Sequence, residues 1–182
     1  MTAQELQDLF DRVRRGDLDP SSAAGLILTA LRAAPFEDMG FARVDTHREL
    51  RQGFPEVILG LGKTPTQIAA IAERIVAHGQ ALLVTRAEPE AYDAVCARLP
   101  NATYHPVARA ITLAQGYVPP GKGTVLVTCA GTSDLPVAEE AAVTAEVMGN
   151  TVDRLYDVGV AGLHRLLAEQ AHLHAARVIV VV

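Results

Sequence analysis

Tryptophan is absent from this 182-residue sequence, and aromatic residues make up only 4% of it. Packing must then fall to small aliphatic side chains, as where helices sit close on a sheet. Cysteine is scarce too: Cys96 and Cys129 have no metal-site spacing and no secretory context, so reduced thiols in a cytosol are expected. The stretch from Met1 to Phe10 is polar and acidic, unlike a signal peptide. No apolar run approaches the roughly 20 residues that cross a bilayer, so no membrane partner is expected. An excess of positive charge is also lacking. The net charge of −5 argues against a nucleic-acid partner, because phosphate contacts need clustered lysine and arginine. The one basic cluster, Arg12-Val13-Arg14-Arg15, is flanked by acidic residues and reads as a solvated helix face.

What is present suits an ordered globule with a sizeable core: 49% of residues are hydrophobic and 20% charged. Residues 3 to 15 and 21 to 33 have helical periodicity and form a leader that docks on something. Short strands are expected at Phe41 to Val44 and Glu56 to Leu59. A helix follows from Thr64 to His78, opened by a capping box of Thr64 and Gln67 with Pro65 at its first position. Ala81 to Thr85 reads as a strand, Pro89 to Arg98 as a helix, and Thr103 to Leu113 as strand-like and irregular pieces. Val118-Pro-Pro-Gly-Lys-Gly123 is the clearest linker.

Beyond it, strands at Thr124 to Thr128, Thr151 to Tyr156 and Arg177 to Val182 alternate with helices at Val137 to Met148 and Val160 to His172. That alternation predicts a parallel sheet with right-handed crossovers. The expected fold is therefore α/β. A three-layer, flavodoxin-like parallel-sheet domain over residues 119–182 follows a helical leader and small α/β domain over residues 1–118. The last strand reads as buried on both faces. Ligands of open parallel sheets lie beyond the C-terminal ends of the strands, so the natural protein is expected to continue past Val182, with this second domain incomplete.

The richest segment is Ala130-Gly-Thr-Ser-Asp-Leu-Pro136. It leaves a buried strand at the sheet edge and enters a helix whose free N–H groups attract anions. Gly131 allows a close turn; Thr132, Ser133 and Asp134 supply two hydroxyls and a carboxylate. One of the three can also cap the helix. Asp157-Val-Gly-Val-Ala-Gly-Leu-His-Arg165 leaves the next strand and is expected to meet that turn, with Asp157 and Gly159 near the ligand. His164, about one helical turn in, is a candidate acid or base, although a lone histidine there is as often structural. Gly62-Lys63-Thr64 imitates the end of a phosphate loop, but Val57 stands where that motif needs glycine. Arg51 and Lys63 stay as secondary contacts to an anionic ligand. His172 and His174 read as surface residues, Cys96 as a small core residue and Cys129 as an inert strand cysteine. No metal site is expected.

These segments, in this order, resemble the LarB family of nickel-pincer nucleotide cofactor biosynthesis. The resemblance rests on Arg51-Gln-Gly-Phe-Pro-Glu-Val-Ile58 with Gly60-Leu-Gly-Lys-Thr64, on Ala130-Gly-Thr-Ser-Asp-Leu-Pro-Val-Ala-Glu-Glu-Ala141, and on Tyr156-Asp-Val-Gly-Val-Ala-Gly-Leu-His-Arg165. The second half is also similar to aminoimidazole ribonucleotide carboxylases, which carry a Gly-Ser-x-Ser-Asp turn and a Ser-Ala-His-Arg segment. The resemblance implies a carboxylase and hydrolase acting on nicotinic acid adenine dinucleotide and CO₂ or bicarbonate. CO₂ is added to C5 of the pyridinium ring, and the phosphoanhydride is cleaved to release AMP. A cysteine thiolate adds transiently to the ring, giving an enamine-like carbon able to attack CO₂.

Carried over to this sequence, Gly131, Thr132, Ser133 and Asp134 hold the phosphate and ribose end, with His164 nearby. The resemblance also implies a homo-oligomer, an octamer by analogy, with no tightly bound cofactor and magnesium arriving with the substrate. The family's catalytic glutamate segment and nucleophilic cysteine follow the strand matching Val178 to Val182. Residues 1–182 alone are therefore expected to be inactive. Two competing readings are a purine-pathway carboxylase or mutase, against which residues 1–118 speak, and a non-catalytic nucleotide-binding module.

Overall fold

The computed structural model describes residues 3–32 and 35–182. Helices α1 (Ala3–Arg15) and α2 (Pro20–Arg32) pair with each other. Leu9 and Ala23 are buried there, whereas Phe10, Leu26 and Leu31 stay exposed. The expected extension of α2 to residue 33 lies outside the described residues.

The next segment corrects one expectation. Instead of one strand at Phe41 to Val44, β1 (Phe36–Asp38) and β2 (Arg43–Asp45) form an antiparallel hairpin. Its turn is set by Asp38, whose Oδ1 accepts from Gly40 N–H at 2.8 Å, and by Gly40 at φ 83°. A short helix, α3 (Arg48–Gln52), follows. The strand expected from Glu56 shrinks to β3 (Ile58–Leu59), because Glu56 turns its carboxylate back onto Asp45 N–H.

Helix α4 (Pro65–Ala77) opens as the sequence requires: Gln67 N–H donates to Thr64 Oγ1 and Thr64 N–H to Gln67 Oε1. Strand β4 (Leu82–Thr85), helix α5 (Pro89–Cys96) and the hairpin β5 (Thr103–His105) and β6 (Ala110–Leu113) complete the first unit. Its sheet order is β3-β4-β6-β5, parallel only between β3 and β4. Ile68, Ala72 and Ile75 of α4 pack with Val84, Val95 and Ile111 in its main core. Helix α5 stops two residues short of the expected Arg98, and Cys96 at its end is half-buried rather than a core residue.

The second unit consists of β7 (Thr124–Thr128), α6 (Leu135–Val147), β8 (Thr151–Leu155), α7 (Leu163–Ala168), α8 (Gln170–Ala175) and β9 (Val178–Val181). The sheet is parallel throughout, in the order β8-β7-β9. On one face, Val127 and Cys129 meet Ala138 and Ala142 of α6; on the other, Leu126 and Leu155 meet Leu166 and Leu173 of α7 and α8. This is the three-layer α/β arrangement.

Two expectations fail here. The helix predicted from Val160 to His172 is broken, because Glu169 leaves helical geometry (φ −102°, ψ 25°) and separates α7 from α8. Strand β9 is not buried on both faces: Val178, Ile179 and Val181 are 51%, 44% and 77% exposed. Among the described residues β7 is its single neighbour, which leaves its outer edge and much of its side-chain surface uncovered by them.

Helix α6 serves both units. Ala138 and Ala142 face the second sheet, whereas Val143 and Val147 pack with Leu83, Ala108 and Ala110 of the first. This explains why its sequence lacks a clean polar face. Arg154 of β8 fastens the helix, bonding Glu146 at 2.7 Å and Glu139 at 3.3 Å, and Tyr156 donates to Glu139 at 2.9 Å.

Candidate functional site

Strand β7 delivers the buried Thr128 and Cys129 to the C-terminal edge of the second sheet. The chain then closes one 3-10 turn over Thr132–Asp134 before α6 begins at Leu135. Asp134 makes the turn: its Oδ2 accepts from Gly131 N–H at 2.9 Å, and its own N–H donates to Gly131 O at 3.1 Å. Asp134 thus closes the turn, but its side chain makes no cap hydrogen bond to α6 itself. Ser133 Oγ reaches Asp134 Oδ1 only at 3.5 Å, and Thr132 and Ser133 are both exposed, so two hydroxyls are presented at the mouth of the turn.

Gly131 does not owe its place to backbone freedom, contrary to the sequence reading. Its φ of −146° is extended and open to any residue, and an added Cβ would meet nothing nearer than Asp134 Oδ2 at 3.9 Å. The glycine leaves open space over the turn instead.

The loop after β8 is zipped onto this turn. Val158 N–H donates to Cys129 O at 3.2 Å and Gly159 N–H to Ala130 O at 3.0 Å. Here glycine is required, because a Cβ on Gly159 would lie 2.8 Å from Ala130 O. Asp157 holds left-handed backbone (φ 59°), uncommon for a residue other than glycine and enriched at functional turns. Its carboxylate binds Arg165 at 2.6 Å. The guanidinium lies across Gly162, where a Cβ would come within 2.7 Å of Nε. Residue type alone does not single out Arg165; its signal in the sequence is its place directly after His164 in a glycine-spaced segment.

Gly131, Thr132, Ser133, Asp134, Asp157 and Gly159 therefore converge at one sheet edge. His164 stands on the first turn of α7 with its side chain exposed. Arg51 and Lys63 belong to the first unit and are engaged locally. Arg51 Nη2 binds Asp45 Oδ2 at 2.5 Å, and Lys63 Nζ donates to Leu59 O at 2.8 Å. Cys129 is 1% exposed, with its Sγ 3.5 Å from Gly131 O.

Behind the turn, burial and then the Glu139 carboxylate push the Tyr156 hydroxyl above its ordinary range, so it remains a donor. Among the described residues no group of three or more His, Cys, Asp or Glu side chains is arranged to hold a metal ion. Asp134 and Asp157 are committed to Gly131 and Arg165, which makes them poor metal ligands as they stand. No helix among the described residues is long and apolar enough to cross a membrane.

A parallel α/β unit with a polar turn at the strand ends defines a class in which small ligands bind at that edge. Residues 36–115 match the LarB/PurE-like N-terminal domain. The chain is also 37% identical over 130 residues to the uncharacterized protein MJ0165 of Methanocaldococcus jannaschii, an alignment covering 68% of this chain and 51% of that protein. The chain thus spans about half the length of the curated relative it matches. Residues 36–115 are thus similar to the N-terminal domain of a LarB/PurE-like, carboxylase-related family.

Proposed function

We propose that the protein is a carboxylase and hydrolase acting on nicotinic acid adenine dinucleotide, in nickel-pincer cofactor biosynthesis, and that residues 124–182 form the nucleotide-holding side of its site. The observation carrying this reading is the convergence of the Gly131–Asp134 turn with the Asp157–Gly159 loop, joined by the bond from Gly159 N–H to Ala130 O.

The first N–H groups of a helical turn have no partner within it, and they point toward whatever anion occupies the mouth. Thr132 and Ser133 add hydroxyl donors for phosphate oxygens, while Asp134 keeps the turn closed. Arg165, held by Asp157, supplies a cation for a phosphate or carboxylate. His164, exposed at the rim, is the candidate for moving a proton during cleavage of the phosphoanhydride. In that step water adds to phosphorus and AMP leaves. In the other, CO₂ bonds to ring C5 and the ring proton departs. By resemblance, the ring chemistry uses a thiolate and a glutamate, while the turn at Gly131–Asp134 and its neighbours bind and orient the nucleotide. Magnesium, where the reaction uses it, travels with the substrate phosphates.

The test is to give the full-length protein the dinucleotide with labelled bicarbonate and follow products by mass spectrometry. AMP together with a mononucleotide carrying one added carboxyl is expected. Ser133→Ala and Asp134→Ala should each raise KM or lower kcat at least about tenfold, an effect of about 1.4 kcal/mol. Unchanged kinetics in both variants would remove the turn from the site, and dinucleotide binding without either product would leave a nucleotide-binding module.

A further inference from the structure

Along the end of β8 the side chains alternate between the two faces of the second sheet. Asp153 and Leu155 face α7 and α8, where His172 and Leu166 meet them. Val152 and Tyr156 pack on the other face with Ala138 and Ala142 of α6, and Arg154 reaches the same helix.

Tyr156 stands where strand becomes loop. It directly precedes Asp157, the left-handed residue whose carboxylate binds Arg165. Its ring is half-buried, and its hydroxyl donates to Glu139 Oε1 at 2.9 Å. Glu139 lies on α6 five residues after Asp134, so about one and a half helical turns separate this bond from the Gly131–Asp134 turn.

The two loops of the candidate site are thus joined twice, and the two joints differ in what they fix. The bonds from Val158 N–H to Cys129 O and from Gly159 N–H to Ala130 O hold the second loop to the end of β7, ahead of the turn. Neither sets the direction in which α6 leaves the turn. The bond from Tyr156 to Glu139 does, because it ties the helix to the residue beside Asp157. Arg154 grips α6 at Glu139 and Glu146, from two residues farther back in the chain. A phenol suits this task. Its rigid ring turns on two torsions, and burial together with the Glu139 carboxylate keeps its proton in place.

We propose that Tyr156 and Glu139 are positioning residues of the nucleotide site. The strut they form sets the direction of α6, and so the spacing between the Gly131–Asp134 turn and the Arg165 guanidinium. This role rests on the reading above, in which these two loops hold the dinucleotide.

The test compares Tyr156→Phe, Glu139→Gln and Glu139→Ala in the full-length protein by thermal melts, dinucleotide kinetics and hydrogen–deuterium exchange read by mass spectrometry. Tyr156→Phe keeps the ring and loses the strut. It should melt near the parent while KM for the dinucleotide rises about five- to tenfold and kcat stays within about twofold. Glu139→Gln keeps an acceptor for the phenol but gives up the charge opposite Arg154. It should melt below the parent yet hold KM within about twofold, whereas Glu139→Ala loses on both counts. Without dinucleotide, exchange over residues 131–139 should quicken in Tyr156→Phe and Glu139→Ala but not in Glu139→Gln. A parent-like KM in Tyr156→Phe, or KM rising in step with the loss of melting temperature across the three variants, would overturn the proposal. A parent protein that neither binds nor converts the dinucleotide would sink the functional reading instead. In that case faster exchange in Tyr156→Phe still upholds the strut, and unchanged exchange refutes it.

Discussion

Gly159 and Ala130 touch backbone to backbone: the glycine N–H donates to the alanine carbonyl at 3.0 Å, and a Cβ on the glycine would lie 2.8 Å from that oxygen. The two loops of the candidate site are thus one object. Since Gly159 has an ordinary φ of −59°, an alanine there meets no backbone strain and acts by contact alone. Gly159→Ala should lose about 1–3 kcal/mol, as overpacking does, and weaken dinucleotide binding as the loops part. Urea unfolding and calorimetric titration of the full-length protein would read the two effects. A variant as stable as the parent would mean that the loops separate freely.

Asp134 is expected to act through the turn. Removing its carboxylate in Asp134→Ala leaves Gly131 N–H without its 2.9 Å partner, a cost of about 0.5–2 kcal/mol by analogy with helix caps. Asp134→Asn keeps an acceptor oxygen and should recover most of the stability. Thermal melts of the two variants side by side would settle it, equal losses arguing that charge rather than the bond matters.

Arg154 ties three side chains together, and its bond to Glu146, with Glu139 nearby, holds it firmly in its charged form. Arg154→Met keeps the aliphatic stem but strands Glu139 beneath Tyr156. A loss of about 1–3 kcal/mol in chemical denaturation is expected, the range for charge-assisted bonds. Near-neutrality would mark the network as solvent-screened.

His172 and Asp153 lie 2.5 Å apart on the surface. The hydrogen bond to Asp153 and that carboxylate's charge raise His172 above its ordinary pKa, and the same bond lowers Asp153. The raised group stabilises the fold below its unfolded pKa of about 6.5, a contribution lost as pH climbs through its folded value. The lowered carboxylate stabilises above its unfolded value and loses that as pH falls through its folded one. The pair therefore helps most in the mildly acidic window between them. An NMR titration of the imidazole should give a midpoint above about 6.5 that drops in Asp153→Asn; a midpoint at or below it would contradict the pairing.

Much of the second unit was legible because local and global signals agree there. β7 has the bounds its apolar run predicts, and Thr64, Pro65 and Gln67 announce α4. Misses came where long-range partners decide. Nothing near Glu56 signals that its carboxylate will cap Asp45 N–H and shorten β3. The exposure of β9 reflects its having β7 alone beside it among the described residues, whereas its apolar run reports composition. At the site, the residue types of the turn were visible, but their division of labour was not. That Gly159 rather than Gly131 is the sterically forced glycine follows from a contact between segments some thirty residues apart in sequence.

The position of α6 has a practical consequence for dissecting the protein. Residues 36–115 match a family domain, yet Leu83, Ala108 and Ala110 within it are covered by Val143 and Val147, which lie outside those limits. A fragment cut at the proline-rich linker would carry a bare apolar patch where the helix belongs, and it should self-associate or need detergent to remain dispersed. Supplying residues 135–147 as a separate peptide should restore it. A cut after α6 would instead part β7 from β8 and β9, so the two units are best kept in one fragment.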